Sequence, residues 1–362
     1  MYCCRATGLQ RRSPVQLRLL MQTISFFNHK GGVGKTTMLF NTAIEMHRLG
    51  KRVLMVDLDA QANLTAISLT DETVEQLFTA GAVDQTVAHA FNPLVSGSGD
   101  VLEPVAHVVR ENGVWLAAGD LDLSAFEGIL PSAWPEALAG FERGFRVTSA
   151  PFRLVQQMGE SVEADYAFVD LGPNVGALNR AVLLGSDYLI VPLAADLFSL
   201  RALPSVGNSI HAWVSQWLTA LNNAPTLKFA IPAGRPKVLG YVQQQFSIYR
   251  GGATRAYRNW IEEMPAAFRD GLLTPLSQFD DGSGGHLADP AESDGPDLGE
   301  LKNYHSLVPH AQKMRRAIFE LEVDEVIWGK QHDNAIGSEE QFQSLCQNIL
   351  ARTGQAAVTQ SA

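Results

Sequence analysis

Lys30-Gly31-Gly32-Val33-Gly34-Lys35-Thr36-Thr37 stands directly after the apolar run Ile24-Ser25-Phe26-Phe27. A backbone that must curl around an anion needs glycines, so that successive N–H groups and the N-terminus of the next helix point at phosphate oxygens. Gly31, Gly32, Val33 and Gly34 supply the curl, and Lys35, Thr36 and Thr37 open the helix. In such a loop the lysine after the last glycine reaches the β- and γ-phosphates, and the hydroxyl beside it meets Mg²⁺. Lys35 and Thr36 fill those places. The common pattern also has a glycine five residues before Gly34, whereas this chain has His29 there, followed by a second lysine, Lys30. A lysine at the loop entrance is placed to reach the nucleotide of a facing subunit and to neutralise charge developing on the γ-phosphoryl group.

The flanking sequence supplies a βαβ unit. Leu39, Phe40, Ala43, Ile44 and Met46 recur at broadly helical spacing, and Gly50 stands where a C-terminal cap ends the helix. Val53-Leu54-Met55-Val56 then reads as a buried strand closing on Asp57-Leu58-Asp59. Ligands in open parallel sheets bind at the carboxyl ends of strands, which puts these carboxylates beside the loop. Of Asp57 and Asp59, only one leads in chemistry. The plainer reading is a strand end capped by two exposed aspartates. Tyr166-Ala167-Phe168-Val169-Asp170 is a second apolar strand ending in a carboxylate, with Leu171-Gly172-Pro173 bending after it. That arrangement suits Asp170 near Mg²⁺ and a bend that senses the γ-phosphate, against the alternative of a simple turn cap.

With its entrance lysine, the loop resembles the deviant Walker A motif of the ParA/MinD family of dimerising ATPases, in which that first lysine is the signature. Val53 to Leu64 is similar to the family's second motif. The resemblance implies that Asp59 orients the attacking water and that Asp57 belongs to the Mg²⁺ shell. The family usually has proline and glycine where Ala60 and Ala62 stand here. Further on, Asp187 to Pro192 reads as a core strand ending at proline, and Asp196-Leu197-Phe198-Ser199-Leu200 opens a helix. Val238 to Gln244 reads as a strand whose end, in relatives, carries a side-chain amide for adenine. Gln244 is the nearest candidate, with Gln243 and Gln245 as rivals and a polar strand end without ligand contact as the bland alternative.

The resemblance covers about Met21 to Leu350. It implies an α/β fold with a doubly wound, mostly parallel sheet flanked by helices, a P-loop NTPase of the deviant Walker A type. It implies ATP and Mg²⁺ as cofactors, with Lys30, Lys35 and Asp59 catalytic, Gly31 to Thr37 and Gln244 on the nucleotide, and Thr36, Asp57 and Asp170 at the metal. It also implies a homodimer when ATP is bound and slow hydrolysis stimulated by a partner protein or cargo adaptor. Membrane-cycling relatives end in a basic amphipathic helix. Here the last helix, around Glu339 to Leu350, offers Phe342, Leu345, Ile349 and Leu350 but only Arg352 as a nearby cation, so it reads as a packed terminal helix with no membrane role.

Composition sets the outer limits. The 362 residues are 46% hydrophobic, enough for one large core, and motifs spread from residue 30 to beyond 240 favour a single domain over 21–352. Within it, about 70–163 departs from the nucleotide-binding pattern, with Val114 to Ala118 as a strand and Leu123 to Phe141 as helix-rich. About 278–300, dominated by Asp, Gly, Ser and Pro with no lysine or arginine, reads as a mobile acidic surface loop. Met1 to Leu20 has four arginines and no acidic residue. It reads as a disordered or mis-assigned extension before a start at Met21, or as a basic arm for anionic partners. Residues 353–362 form a polar tail. Three cysteines, two of them adjacent, give no disulfide framework and fit a reducing cytoplasm. A lone cysteine beyond residue 4 excludes an iron–sulfur cluster between subunits, and no acceptor pocket for a small-molecule kinase or ligase is legible.

Two functions remain. One is segregation of DNA or positioning of a large cargo, with the ATP dimer on nonspecific DNA and the protein nucleoid-associated. The other is an ATP-switched interaction protein without nucleic acid. A net charge of −10 weakens attraction to phosphate, but Arg250, Arg255 and Arg258, and Lys313, Arg315 and Arg316, form local basic clusters.

Overall fold

Eight strands form one sheet in the computed structural model, which describes residues 21–79, 85–246, 255–289, 297–322 and 329–354. They are β1 (Gln22–Phe26), β2 (Val53–Leu58), β3 (Ala106–Arg110), β4 (Val114–Ala117), β5 (Tyr166–Leu171), β6 (Tyr188–Ala194), β7 (Lys237–Phe246) and β8 (Asp297–Lys302), in the order β3-β4-β2-β5-β1-β6-β7-β8. All neighbours are parallel except β3 against β4. β2 and β5 are buried at every residue, as continuous apolar runs require when helices cover both faces.

The winding reverses at β1. The helix Lys35–Arg48 leads from β1 to β2 on one side, and the helix Ala177–Leu184 leads from β5 to β6 on the other. A crevice therefore opens at the carboxyl ends of β1 and β5, the switch point of a doubly wound sheet. Two apolar clusters fill the faces. One joins Lys35–Arg48 to the terminal helix Lys330–Arg352, and the other holds Leu123–Leu138, Ala150–Ser161, Ala177–Leu184 and Leu197–Asn222. Phe342, Leu345, Ile349 and Leu350 are all buried, so the last helix packs as its sequence pattern implies. No helix among the described residues is long and apolar enough to cross a membrane.

β6 does not stop at Pro192 but continues to Ala194. β1 pairs with it only through Ile190, so the missing proline N–H falls where that neighbour has already ended, and Asn28 Nδ2 donates to the Pro192 carbonyl instead. The described part of 278–300, expected to be a mobile acidic surface loop, makes specific contacts. Asp280 pairs with Arg235 at 2.5 Å, Asp281 pairs with Lys237, Leu287 and Ala288 are buried, and Asp297 onward is strand β8. Two of its carboxylates are thus matched by cations just before and at the start of β7, which composition inside the stretch could not reveal. Residues 1–20, 290–296 and 355–362 lie outside the described residues.

Ala62 takes the left-handed conformation, φ 50°, at the start of the helix Asn63–Ser68. A Cβ in that region costs roughly 1–2 kcal/mol that glycine avoids, partly offset by glycine's greater freedom when unfolded. Ala62→Gly should raise the urea midpoint, equivalent to about 0.5–1 kcal/mol. A lowered midpoint would show that the Ala62 methyl, which is buried, contributes more by packing than its backbone loses.

Candidate nucleotide-binding site

Gly32 and Gly34 both adopt left-handed φ, +71° and +78°, and Gly34 caps the helix Lys35–Arg48 with no side-chain hydrogen bond to the first turn. The helix therefore presents unsatisfied N–H groups and the positive end of its dipole to whatever sits in the loop. A Cβ at Gly34 would lie 2.6 Å from Gln244 Oε1, so the Gln244 side chain closes against the loop, and the left-handed φ favours glycine there. Lys35 is buried, with Nζ donating to the carbonyls of Asn28 at 3.2 Å and Lys30 at 3.5 Å. Burial lowers its pKa, opposed by Asp170 and Asp59. A buried ammonium resting on neutral carbonyls is suited to a phosphate.

Thr36 Oγ1 donates to Asp170 Oδ2 at 2.7 Å. Asp170 is fully buried in register with Phe26 on one side and Asp57 on the other, and its Oδ1 has no partner. Burial first, then the neighbouring Asp57, push its pKa up to about 7 against the pull of Thr36 and Lys35. Burial likewise raises Asp57 to about 6. An orphaned carboxylate oxygen beside a hydroxyl, inside an acidic pair short of cations, fits a hard divalent ion that takes oxygen ligands. Thr36 and Asp170 would hold it. Asp57 is committed differently: Oδ2 accepts from Thr65 N at 2.8 Å and Thr65 Oγ1 at 2.7 Å, while Oδ1 has a longer 3.3 Å bond from Asp59 N. It braces the 59–65 turn behind the loop.

Asp59 leaves β2 toward the bend after β5. Its Oδ1 accepts from Gln61 N at 3.0 Å and would lie 3.3 Å from a Cβ at Gly172. With Gly31, Gly32, Gly34, Lys35, Thr36, Thr37 and Pro173 it lines a polar cleft of about 550 Å³. A second cleft of about 380 Å³ shares Gly32, Gly34 and Thr37 and runs between Gln244 and the 301–309 segment, where Tyr304 and Pro309 supply apolar walls. The two clefts meet at Gly34, one suited to a triphosphate and one to a flat base. Gln244 Nε2 donates to Met38 Sδ at 3.0 Å, leaving Oε1 at the loop. Asn303, Tyr304 and Pro309, and Gln312 on the polar side, were not legible from the sequence, because they follow a strand hidden by the acidic stretch. The side chain of Gln245 is not among those described.

Lys30 is separate from both clefts. Its Nζ lies 2.5 Å from Asp196 Oδ2, and both side chains are about one-third exposed, at 36% and 33%. Asp196 in turn caps the helix Leu197–Asn222, accepting from Ser199 N at 2.9 Å. Of the basic clusters, Arg315 pairs with Asp71 and Arg316 with Glu322 at 2.8 Å. Arg250, and the side chains of Arg255 and Arg258, lie outside the described residues.

A family profile described as an AAA domain matches residues 21–222. The chain is 28% identical over 190 residues to a virulence plasmid ParA family protein of Chlamydia psittaci, covering 51% of this chain and 62% of the relative. It is 29% identical over 189 residues to the chromosome-partitioning ATPase Soj of Thermus thermophilus, covering 52% of this chain and 60% of the relative. The match thus spans less than two thirds of these curated relatives. A solved structure of a protein from Corynebacterium diphtheriae aligns with 26% identity and a TM-score of 0.66, covering 92% of this chain and 99% of that one. The chain belongs to this AAA-domain family and is similar to ParA-like partitioning ATPases.

Proposed function

We propose that the protein is a Mg²⁺-ATP-dependent ATPase that dimerises with ATP and serves as a switch in segregating DNA or positioning a large cargo. The observation that carries the reading is the convergence of Lys35, Thr36, Asp59 and Asp170 on one left-handed glycine loop at the switch point of the sheet. Lys35 and the N-terminus of Lys35–Arg48 hold the β- and γ-phosphates, and Gln244 and Tyr304 border the base. Bound through Thr36 and Asp170, Mg²⁺ supplies charge neutralisation and phosphate orientation. Asp59, facing the polar cleft, orients the attacking water, and Gly172-Pro173 is the bend that follows loss of the γ-phosphate. Lys30 exchanges Asp196 for the partner's nucleotide when two copies close. A hydrolysis-stimulating partner reads the closed dimer. The relative from Thermus, named for chromosome partitioning, points to DNA as the substrate of positioning.

One observation favours the DNA-free reading, an ATP-switched interaction protein. Arg315 and Arg316 are already matched by carboxylates, and the chain as a whole is acidic. Sedimentation with ATP and Mg²⁺, with and without duplex DNA, separates the two. The partitioning reading expects an ATP-dependent dimer retained on DNA with affinity falling steeply as salt rises. A dimer indifferent to DNA selects the other, and no nucleotide-dependent change in mass removes both.

A further inference from the structure

Outside the nucleotide site, the helices Ala177–Leu184 and Leu197–Asn222 border an open groove of about 730 Å³, lined by Arg180, Arg201, Ser205, Asn208, Trp213 and Gln216 among others. The Arg180 guanidinium lies over the Trp134 ring at 3.8 Å from its centroid, while its Nε is buried without a partner. Burial pulls its pKa down to about 10. Arg201 is exposed and meets no carboxylate among the described residues. This pair stands apart from Arg48, Arg110, Arg146 and Arg153, each of which is matched to an acid. Unmatched guanidiniums beside one groove call for an oxyanion, because a half-buried cation gains most from a charge-assisted bond.

The shape narrows the ligand. Arg201 and Gln216 are separated along one helix by about 22 Å at 1.5 Å per residue. That length takes an extended chain of six or seven residues at about 3.3 Å each, and exceeds a mononucleotide. A nucleic-acid strand of that length would carry about six phosphates, far more than two cations neutralise. Between the arginines Ser205, Asn208 and Ser209 bring hydroxyl and amide groups to the groove, alongside Pro204, Ala212 and Trp213. Trp134 Nε1 donates to Gln216 Oε1 at 2.9 Å, which leaves the Gln216 amide nitrogen to the groove. Such groups suit a peptide backbone.

We propose that this groove docks an extended acidic peptide segment of a partner protein, with Arg180 and Arg201 each taking a carboxylate and the polar groups between them taking main-chain atoms. Its test needs no nucleotide. Fluorescence anisotropy with the full chain would compare a labelled glutamate-rich oligopeptide with a labelled single-stranded oligodeoxynucleotide of equal charge. The peptide should bind more tightly, in a salt-dependent way. Arg201→Glu, on the surface, should weaken it about tenfold with unchanged ATP binding. Arg180→Lys should also weaken it, because lysine keeps the charge but loses the planar fork. The proposal is overturned if wild type does not bind the peptide, if Arg201→Glu binds equally well, or if the oligonucleotide binds better and loses affinity on that substitution. Failed ATP binding by wild type would instead count against the nucleotide reading alone.

Discussion

Asp170→Asn is expected to stabilise the nucleotide-free protein near neutral pH by about 2–4 kcal/mol while abolishing Mg²⁺-dependent nucleotide binding. The carboxyl is fully buried, raised to about 7 by burial and by Asp57, and has one oxygen without a partner. In the unfolded chain the same group titrates near 4. Between roughly pH 4 and 7 the native state therefore binds more protons than the unfolded state, so stability falls as pH rises through that window. Asp57, raised to about 6, acts in the same direction over a narrower range. Asparagine imitates the protonated acid at every pH and can still accept from Thr36, so it removes the Asp170 part of this slope. Denaturant midpoints for both proteins at about pH 4.5 and 7.5 measure it. The variant should nearly match wild type at the lower pH and exceed it at the higher. Mg²⁺ with nucleotide should raise the midpoint of wild type only. Equal pH slopes in the two proteins would show that Asp170 is not the strained acid.

How far the sequence carried follows from which forces act locally. β1, the glycine loop, β2 and β5 were visible because strands buried on both faces are continuous apolar runs and the loop's glycines have no local substitute. β8 was not, because Asp297-Leu298-Gly299-Glu300-Leu301-Lys302 is an edge strand with Leu298 and Leu301 alone fully buried, within a stretch that looks solvated. The choice among three glutamines depended on register. β7 slips against β6 at Leu189/Ile190 and against β8 at Tyr241/Val242 and Gln244/Phe246, and each slip changes which side chains share a face. Alternation alone would have put Asp57 and Asp59 on one face; they part because β2 ends at Leu58, which leaves Asp57 against Thr65 and lets Asp59 turn toward Gly172. What no local pattern could give was the partner of Lys30, since Asp196 belongs to another loop altogether.

That pairing makes Lys30→Ala the sharpest separation of roles. Lys35 holds the phosphates of its own loop, whereas the Lys30 amine is turned toward Asp196. Losing Lys30 should therefore leave nucleotide affinity within a few-fold and lower turnover about a hundredfold or more, the scale on which a charge supplied across an interface acts on phosphoryl transfer. Asp196→Asn works in the opposite sense. Burial tends to raise the Asp196 pKa, yet the hydrogen bonds from Lys30 and Ser199 hold it below the ordinary carboxylate value, so the ion pair favours the unengaged lysine. Asparagine still caps the helix Leu197–Asn222 but gives up the ion pair. A pair this exposed is worth about 0–1 kcal/mol and two are given up per dimer, so ATP-dependent dimerisation should strengthen by no more than about thirtyfold. Phosphate release and sedimentation velocity with ATP read both effects. If Lys30→Ala turns over at the wild-type rate, or Asp196→Asn weakens the dimer while the helix cap stays intact, Lys30 belongs to its own subunit and the two-lysine loop is complete in one chain.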